Sequence, residues 1–271
     1  MSLKVVIVDL EAYKMIKRII TALAILICAI PPLWFGGYFL DILITLVIIV
    51  GGFELVNLLP SRKYLSTPIL FFGFLITAVF ALTIGDKYSF AGFSLLILIS
   101  IAFPVFTKQF TSEDAFFLIA IMCILYMIAK SFTYIYHYNH LYIWYILLAT
   151  YGCDTGAYFI GSLFGKTKLL PTISPKKTVE GAVGGWVVGA GLSFLFAVFV
   201  IKNMNLLLII LGCLWLPIIS QIGDLAFSAI KRHFNIKDFS NIFPGHGGFM
   251  DRIDSLIFNL ITFSTIMVFI L

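Results

Sequence analysis

Apolar runs too long for the core of a water-soluble domain recur along this chain from one end to the other. At roughly 20 apolar residues per crossing, nine segments qualify: about 16–35, 38–59, 65–84, 89–107, 114–135, 141–163, 181–201, 204–224 and 253–271. The runs are continuous rather than alternating. That excludes a transmembrane β-barrel and predicts helices that satisfy their own backbone groups inside lipid. Soluble domains carry about 25% charged residues, whereas 11% are charged here and 61% are hydrophobic. The expected fold class is an all-α integral membrane protein of about nine transmembrane helices.

Charge placement predicts the orientation. If all nine segments cross and the N-terminus is cytoplasmic, the opposite side receives only Lys87, Lys130 and Lys202 of the 18 Lys and Arg residues. The other cations all fall on the cytoplasmic side, as the positive-inside rule requires. The formal net charge of +5 is then a topology signal and a favourable field for anionic lipid and nucleotide. It is no argument for a nucleic-acid partner. No cleavable signal pattern precedes the first segment, which is long enough to stay in the membrane. Cys28, Cys123, Cys153 and Cys213 stand singly in apolar segments, so neither a zinc site nor a disulfide framework is expected.

The polar residues are concentrated late. Residues 1–15 form a short mixed N-terminal segment, and 16–135 (about five spans) reads as scaffold. In the scaffold, Pro31-Pro32 is expected to break or kink the first helix. Glu54 is the exception, a carboxylate inside the second span. It either snorkels toward water and pairs with Arg62 or Lys63, or belongs to a site, since intramembrane acids are functional candidates. Tyr134 to Tyr145, with His137 and His140, reads as an interfacial aromatic belt.

From Tyr151 the character changes. Asp154 lies inside the sixth span, where an unpaired charge costs ~3 kcal/mol or more; it serves either as a helix–helix hydrogen-bonding acid or in a site. A basic loop follows, with Ser174, Lys176, Lys177 and Thr178 just before a helix whose free N–H groups favour anions. Ser174 or Thr178 could equally be a helix cap. Glu180 either pairs with Lys177 or reaches a metal.

Ser228 to Asp254 is the longest polar run. It holds Lys231, Arg232, Lys237 and Arg252 with Asp238, Asp251, Asp254 and His246, around Gly245-His246-Gly247-Gly248. Cations neutralise phosphate, glycines let N–H groups approach it, and carboxylates ligate Mg²⁺. A solvated loop is the plainer alternative, and the glycines with paired acids weigh against it. If the eighth helix continues past its span, Asp224, Ser228 and Lys231 fall at i, i+4 and i+7 on one face. Asp251 and Asp254, at i and i+3, open the ninth helix and face one side, although acids there also suit the helix dipole.

These blocks carry a resemblance. Ser228, Lys231-Arg232, Lys237-Asp238, Pro244, His246-Gly247-Gly248, Asp251-Arg252 and Asp254 resemble the signature of the CDP-diacylglycerol synthases, or phosphatidate cytidylyltransferases. Asp154-Thr155-Gly156-Ala157-Tyr158 and Ser174 to Gly181 are similar to the family's upstream blocks. The match covers Gly152 to Ser255; Phe227 departs from it, standing where many members carry an acid. The resemblance implies transfer of CMP from CTP to phosphatidic acid, giving CDP-diacylglycerol and pyrophosphate for phospholipid biosynthesis. It makes 136–271 the catalytic transmembrane region, with about four spans and two motif loops. It also implies a multi-pass protein of the inner (plasma) membrane, with a polar cavity opening to the cytoplasm, and a homodimer.

On this reading Asp224, Asp251, Lys231, Arg232 and Asp254 are catalytic. Substrate is expected at Lys176, Lys177, Ser174, Thr178, Ser228, Lys237, His246, Gly247, Gly248 and Arg252. Mg²⁺, with room for a second cation, is expected at Asp224 and Asp251, with Asp154, Glu180 and Asp254 as further candidates. Two rivals stand beside it. A CTP-dependent polyprenol or dolichol kinase would share the pocket chemistry and differ in acceptor. An ion-coupled transporter would use Glu54, Asp154 and Asp224 as pathway carboxylates, but the discontinuous inverted repeats expected of one are not visible.

Overall fold

A computed structural model describes residues 17, 20–21, 23–82, 86–245 and 247–271. The N-terminal segment 1–15 and His246 lie outside the described residues. Nine α-helices occur among the described residues: α1 (Leu23–Phe35), α2 (Gly37–Val56), α3 (Thr67–Leu82), α4 (Asp86–Phe106), α5 (Ser112–Tyr138), α6 (Leu141–Phe164), α7 (Val179–Phe199), α8 (Leu206–His233) and α9 (Met250–Ile270). Six of them, α2, α4, α5, α7, α8 and α9, are long and apolar enough to cross a membrane. The sequence expectation was about nine. Helix α3, with 16 residues, is shorter than that length, and the described part of α1 is 13 residues, with residues 17, 20 and 21 ahead of it also helical. Helix α6 is long enough at 24 residues, but tyrosines, glycines, threonines and Asp154 dilute its apolar character.

Of the break or kink expected at Pro31-Pro32, a break does not occur: α1 runs through the pair to Phe35. The chain turns instead at Gly36 and Gly37, with φ of 67° and 55°, a region glycine enters without the cost of a Cβ. The basic segment before α7 is no irregular loop but a two-stranded hairpin, β1 (Lys168–Leu170) antiparallel to β2 (Ser174–Thr178). Pairing its backbone within the hairpin satisfies groups that would otherwise need water.

The chain divides into two compact units, residues 1–125 with 238–251, and residues 126–237 with 252–271. In the first, α2 and α3 meet at Gly52, where a Cβ would lie 2.7 Å from the Phe74 ring. Phe53 stacks edge-on against the same ring at 5.8 Å. Helix α5 opens with a reciprocal cap: the Asp114 amide donates to Thr111 Oγ1 (3.2 Å) and the Thr111 amide donates to Asp114 Oδ2 (2.9 Å).

In the second unit α6 and α7 pack backbone to backbone. A Cβ at Gly185 would lie 2.6 Å from the Cys153 carbonyl oxygen, and one at Gly189 would lie 2.6 Å from that of Ala149. Only glycine permits this approach, as in small-residue packing between membrane helices. Polar ties fasten the neighbours. The Tyr145 hydroxyl donates to the Ile209 carbonyl (3.0 Å), Asn259 Nδ2 donates to Thr150 Oγ1 (2.7 Å), and Ser264 Oγ donates to Ser131 Oγ (2.8 Å). Helix α8 has 28 residues, about 42 Å at 1.5 Å per residue. That exceeds an apolar core of ~30 Å, so its Lys231-Arg232-His233 end reaches a polar region.

Candidate active site

The tight α6–α7 seam and the hairpin bring the polar residues of the second unit together. The hairpin delivers Lys176 and Lys177 to the N-terminus of α7, where Thr178 caps the helix by accepting from the Gly181 amide (3.2 Å). Glu180 holds the incoming strand at the same end of the hairpin: its carboxylate accepts from the amides of Lys166 and Thr167, each at 3.1 Å. Both Glu180 oxygens are therefore engaged, which gives this metal candidate a structural task.

Helix α8 continues unbroken through Asp224, Ser228 and Lys231, so the shared face exists. Asp224 is its centre. Lys177 Nζ lies 2.5 Å from Asp224 Oδ2, and Ser228 Oγ donates to Asp224 Oδ1 at 3.2 Å. Asp154 on α6 and Asp254 on α9 both stand within electrostatic reach of Asp224, with Lys177 and Lys231 as the answering cations. Asp254 and Lys231 are buried, each 7% exposed. Buried like charges are tolerated only when cations compensate them.

Asp154, Lys176, Lys177, Thr178 and Asp224 line one cavity of about 390 Å³, with Tyr158, Ser162, Leu169 and Gln221. The sequence reading did not select the last four. Gln221 was detectable as a polar residue inside an apolar span, and Tyr158 sits in a block already singled out. Arg232, Ser174, Lys237 and Arg252 lie elsewhere in the second unit. Arg232 Nη1 donates to the Ile236 carbonyl (2.9 Å) at the end of α8, and its Nε points to that of Ile173 (3.4 Å) in the hairpin. Ser174 begins β2; Lys237 and Arg252 are exposed. The Tyr151 hydroxyl donates to the Arg252 carbonyl (3.2 Å).

The glycine turn belongs to the first unit and is organised by two carboxylates. Glu54, 1% exposed, accepts from the amides of Phe249 and Met250, both at 2.7 Å, and from Ser240 Oγ. It thus fills the open donors at the start of α9. Neither the pairing with Arg62 or Lys63 nor a snorkelling side chain is observed. Asp251 Oδ2 accepts from the amides of Phe239 and Gly248, both at 2.9 Å. Gly247 has φ 85° and its amide donates to the Phe243 carbonyl (3.1 Å). A Cβ on Gly248 would come within 2.8 Å of Glu54 Oε1. The Gly247 and Gly248 amides, expected to face phosphate, thus hold the turn's own shape here.

Among the described residues no three His, Cys, Asp or Glu side chains gather closely enough for an all-protein metal cage. Mg²⁺ seldom requires one: it binds through one or two carboxylates together with substrate phosphates. Asp224, with Asp154 and Asp254 within electrostatic reach, fits that donor chemistry.

Ammonium groups on a hairpin and carboxylates on α6 and α8 share one cavity, in a chain with six helices apolar enough to cross a membrane, the make-up of a membrane enzyme that handles phosphate groups. A family model described as "Cytidylyltransferase family" matches residues 16–270. The chain belongs to that family and is a nucleotidyltransferase. It is similar to proteins named "Phosphatidate cytidylyltransferase" from three staphylococci. That of Staphylococcus haemolyticus is 36% identical over 251 residues, that of Staphylococcus saprophyticus 36% over 253 and that of Staphylococcus aureus (strain COL) 36% over 255. Each alignment covers 90% of this chain and 95% of the relative.

Proposed function

We propose that this chain is a phosphatidate cytidylyltransferase, transferring CMP from CTP to phosphatidic acid. The Lys177–Asp224 pair, in one cavity with Lys176 and Asp154, carries the reading, and the similarity to relatives so named supports it. In the reaction a phosphate oxygen of phosphatidate bonds to the α-phosphorus of CTP. The bond from that phosphorus to the oxygen bridging to the β-phosphate breaks, and pyrophosphate leaves with the electron pair. Both reactants are anions, so the barrier is lowered chiefly by neutralising charge and holding the groups in line.

Lys176 and Lys177 draw the phosphates into the cavity. Incoming phosphate competes with Asp224 for the Lys177 ammonium, while Ser228 keeps the Asp224 carboxylate oriented. Lys231 and Arg232 serve the departing pyrophosphate. Phosphatidate arrives ionised, so no strong general base is required. Mg²⁺ would be held by Asp224 with Asp154 and Asp254, and when bound it neutralises polyphosphate charge. The family signature also nominates Asp251; that assignment competes with the two backbone amides its carboxylate accepts.

The topology belongs to the same proposal. All nine helices cross, the N-terminus is cytoplasmic, the cavity opens to the cytoplasm, and the enzyme is a homodimer of the plasma (inner) membrane. The cation asymmetry along the sequence supports the orientation. Helix α3, about 24 Å long, then requires local thinning of the bilayer.

The test is incorporation of radiolabelled CTP into chloroform-soluble lipid by purified protein with phosphatidate and Mg²⁺. Product dependent on phosphatidate supports the assignment. Label from γ-labelled CTP on a polyprenol acceptor, with none from α-labelled CTP on phosphatidate, would replace it with the kinase reading.

A further inference from the structure

We infer that the groove between α7 and α8, lined by Leu169, Val183, Trp186, Ile218, Ile222 and Leu225, seats one acyl chain of the lipid substrate; this rests on the phosphatidate reading above. The groove encloses about 350 Å³, and its one polar lining residue is Gln221. It shares Leu169, Ala182 and Gln221 with the polar cavity, so the two adjoin. An anionic headgroup drawn to Lys176 and Lys177 therefore has an apolar groove beside it. That match of charged end to charged cavity and apolar end to apolar groove selects a chain of the substrate as occupant.

The walls are built to persist. Gln221 Nε2 donates to the Ala182 carbonyl (3.0 Å) and to Cys153 Sγ (3.3 Å), which ties α8 to α7 and α6 at the junction. Trp186 Nε1 donates across to the Leu214 carbonyl of α8 (3.0 Å). The indole is thereby held between the two helices as a fixed wall. Val183, Ile218 and Ile222 are 58%, 38% and 47% exposed, so the groove is open along its outer side. A chain can enter sideways without leaving an apolar environment. Bilayer and groove are equally apolar, so the groove contributes shape selection and headgroup registration rather than a hydrophobic gain.

The experiment fills the groove in the full-length protein, in mixed micelles, with dioleoyl and dioctanoyl phosphatidate as acceptors. Val183→Trp blocks the groove. Val187→Trp, one helical turn along the same helix, 55% exposed and outside the groove, is the control. Val183→Trp is expected to raise KM for dioleoyl phosphatidate by about tenfold or more, the scale of a lost methylene-sized fit. It should leave KM for CTP unchanged, affect the eight-carbon substrate less, and find no parallel in Val187→Trp. Equal effects on CTP and lipid, an unchanged lipid KM, or the same effect from Val187→Trp would overturn the inference. So would disulfide crosslinking of two copies through Val183→Cys, which would assign the groove to a subunit interface. Wild-type protein that makes no lipid product sinks the functional reading itself, whereas active wild type with an indifferent Val183→Trp sinks the groove alone.

Discussion

Lys177 Nζ and Asp224 Oδ2 stand 2.5 Å apart, joining the end of a short β-hairpin to the C-terminal half of α8. Both side chains retain partial exposure, 28% and 30%, so the pair faces the cavity rather than closing it. Its value to folding is small, as for other solvent-reached ion pairs. Its value to chemistry is larger, because the cation is placed where phosphate enters and the anion where a metal is wanted.

Asp224→Asn and Lys177→Ala should each lower kcat/KM by about 10²-fold or more, the scale of losing one electrostatic contact to a developing charge. The double variant should lie well above the product of the two losses, because groups in one contact do not add. Both proteins should keep the wild-type apparent Tm in detergent. Activity measured on the three variants with saturating Mg²⁺ decides it, and additive losses would show the two residues acting separately.

Glu54 is predicted to matter first for stability. Its buried carboxylate receives two amides at the start of α9 and the Ser240 hydroxyl. Glu54→Ala strands those donors and should cost about 3 kcal/mol or more, since each hydrogen bond to a charged group contributes ~1.5–3 kcal/mol. Glu54→Gln keeps an acceptor and should lose less. Thermal unfolding of both variants in one detergent checks the order. A Glu54→Ala protein as stable as wild type would mean that water replaces the carboxylate.

Two glycines of one helix should behave oppositely. A Cβ at Gly189 meets the Ala149 carbonyl at 2.6 Å, whereas a Cβ at Gly191 meets nothing within 4 Å. Gly189→Leu should therefore separate α6 from α7 and abolish folded protein. Gly191→Ala should be tolerated, and alanine's helix preference should add stability of up to about 1 kcal/mol. Size-exclusion profiles and apparent Tm separate the two outcomes.

Much of this was legible in the sequence, and for a physical reason. Apolar runs of span length forced helices, so the positions of α5, α6 and α9 follow from hydropathy alone. Gly181, Gly184, Gly185, Gly189 and Gly191 leave one face of the seventh span with little bulk, which suits tight helix packing or equally a groove for a lipid chain, and the i, i+4, i+7 spacing of Asp224, Ser228 and Lys231 puts them on one helix face. Long-range partners were not legible. Glu54 and Ser240 are 186 positions apart, and no local pattern says that one holds the other. The hairpin was missed because Lys168–Leu170 and Ser174–Thr178 are too short to show alternation against a basic background. Gly247 and Gly248 illustrate a different failure. The same residue type serves phosphate approach and tight carboxylate packing, and spacing alone does not distinguish them.

That ambiguity meets its test at Asp251. One oxygen of its carboxylate, Oδ2, accepts from the amides of Phe239 and Gly248, a role an amide oxygen can also fill. Asp251→Asn therefore keeps an acceptor for the turn and removes the charge, while Asp251→Ala removes both. If Asp251 also binds the metal, the Asn variant should fold with unchanged apparent Tm, lose kcat by about tenfold or more, and need more Mg²⁺ for half-maximal rate. The Ala variant should lose stability as well. We expect that pattern, because a neutral side chain would have served the two amides alone. An Asn variant with full activity and an unshifted Mg²⁺ requirement would leave Asp251 as the clasp of the turn, with the ligands drawn from Asp154, Asp224 and Asp254.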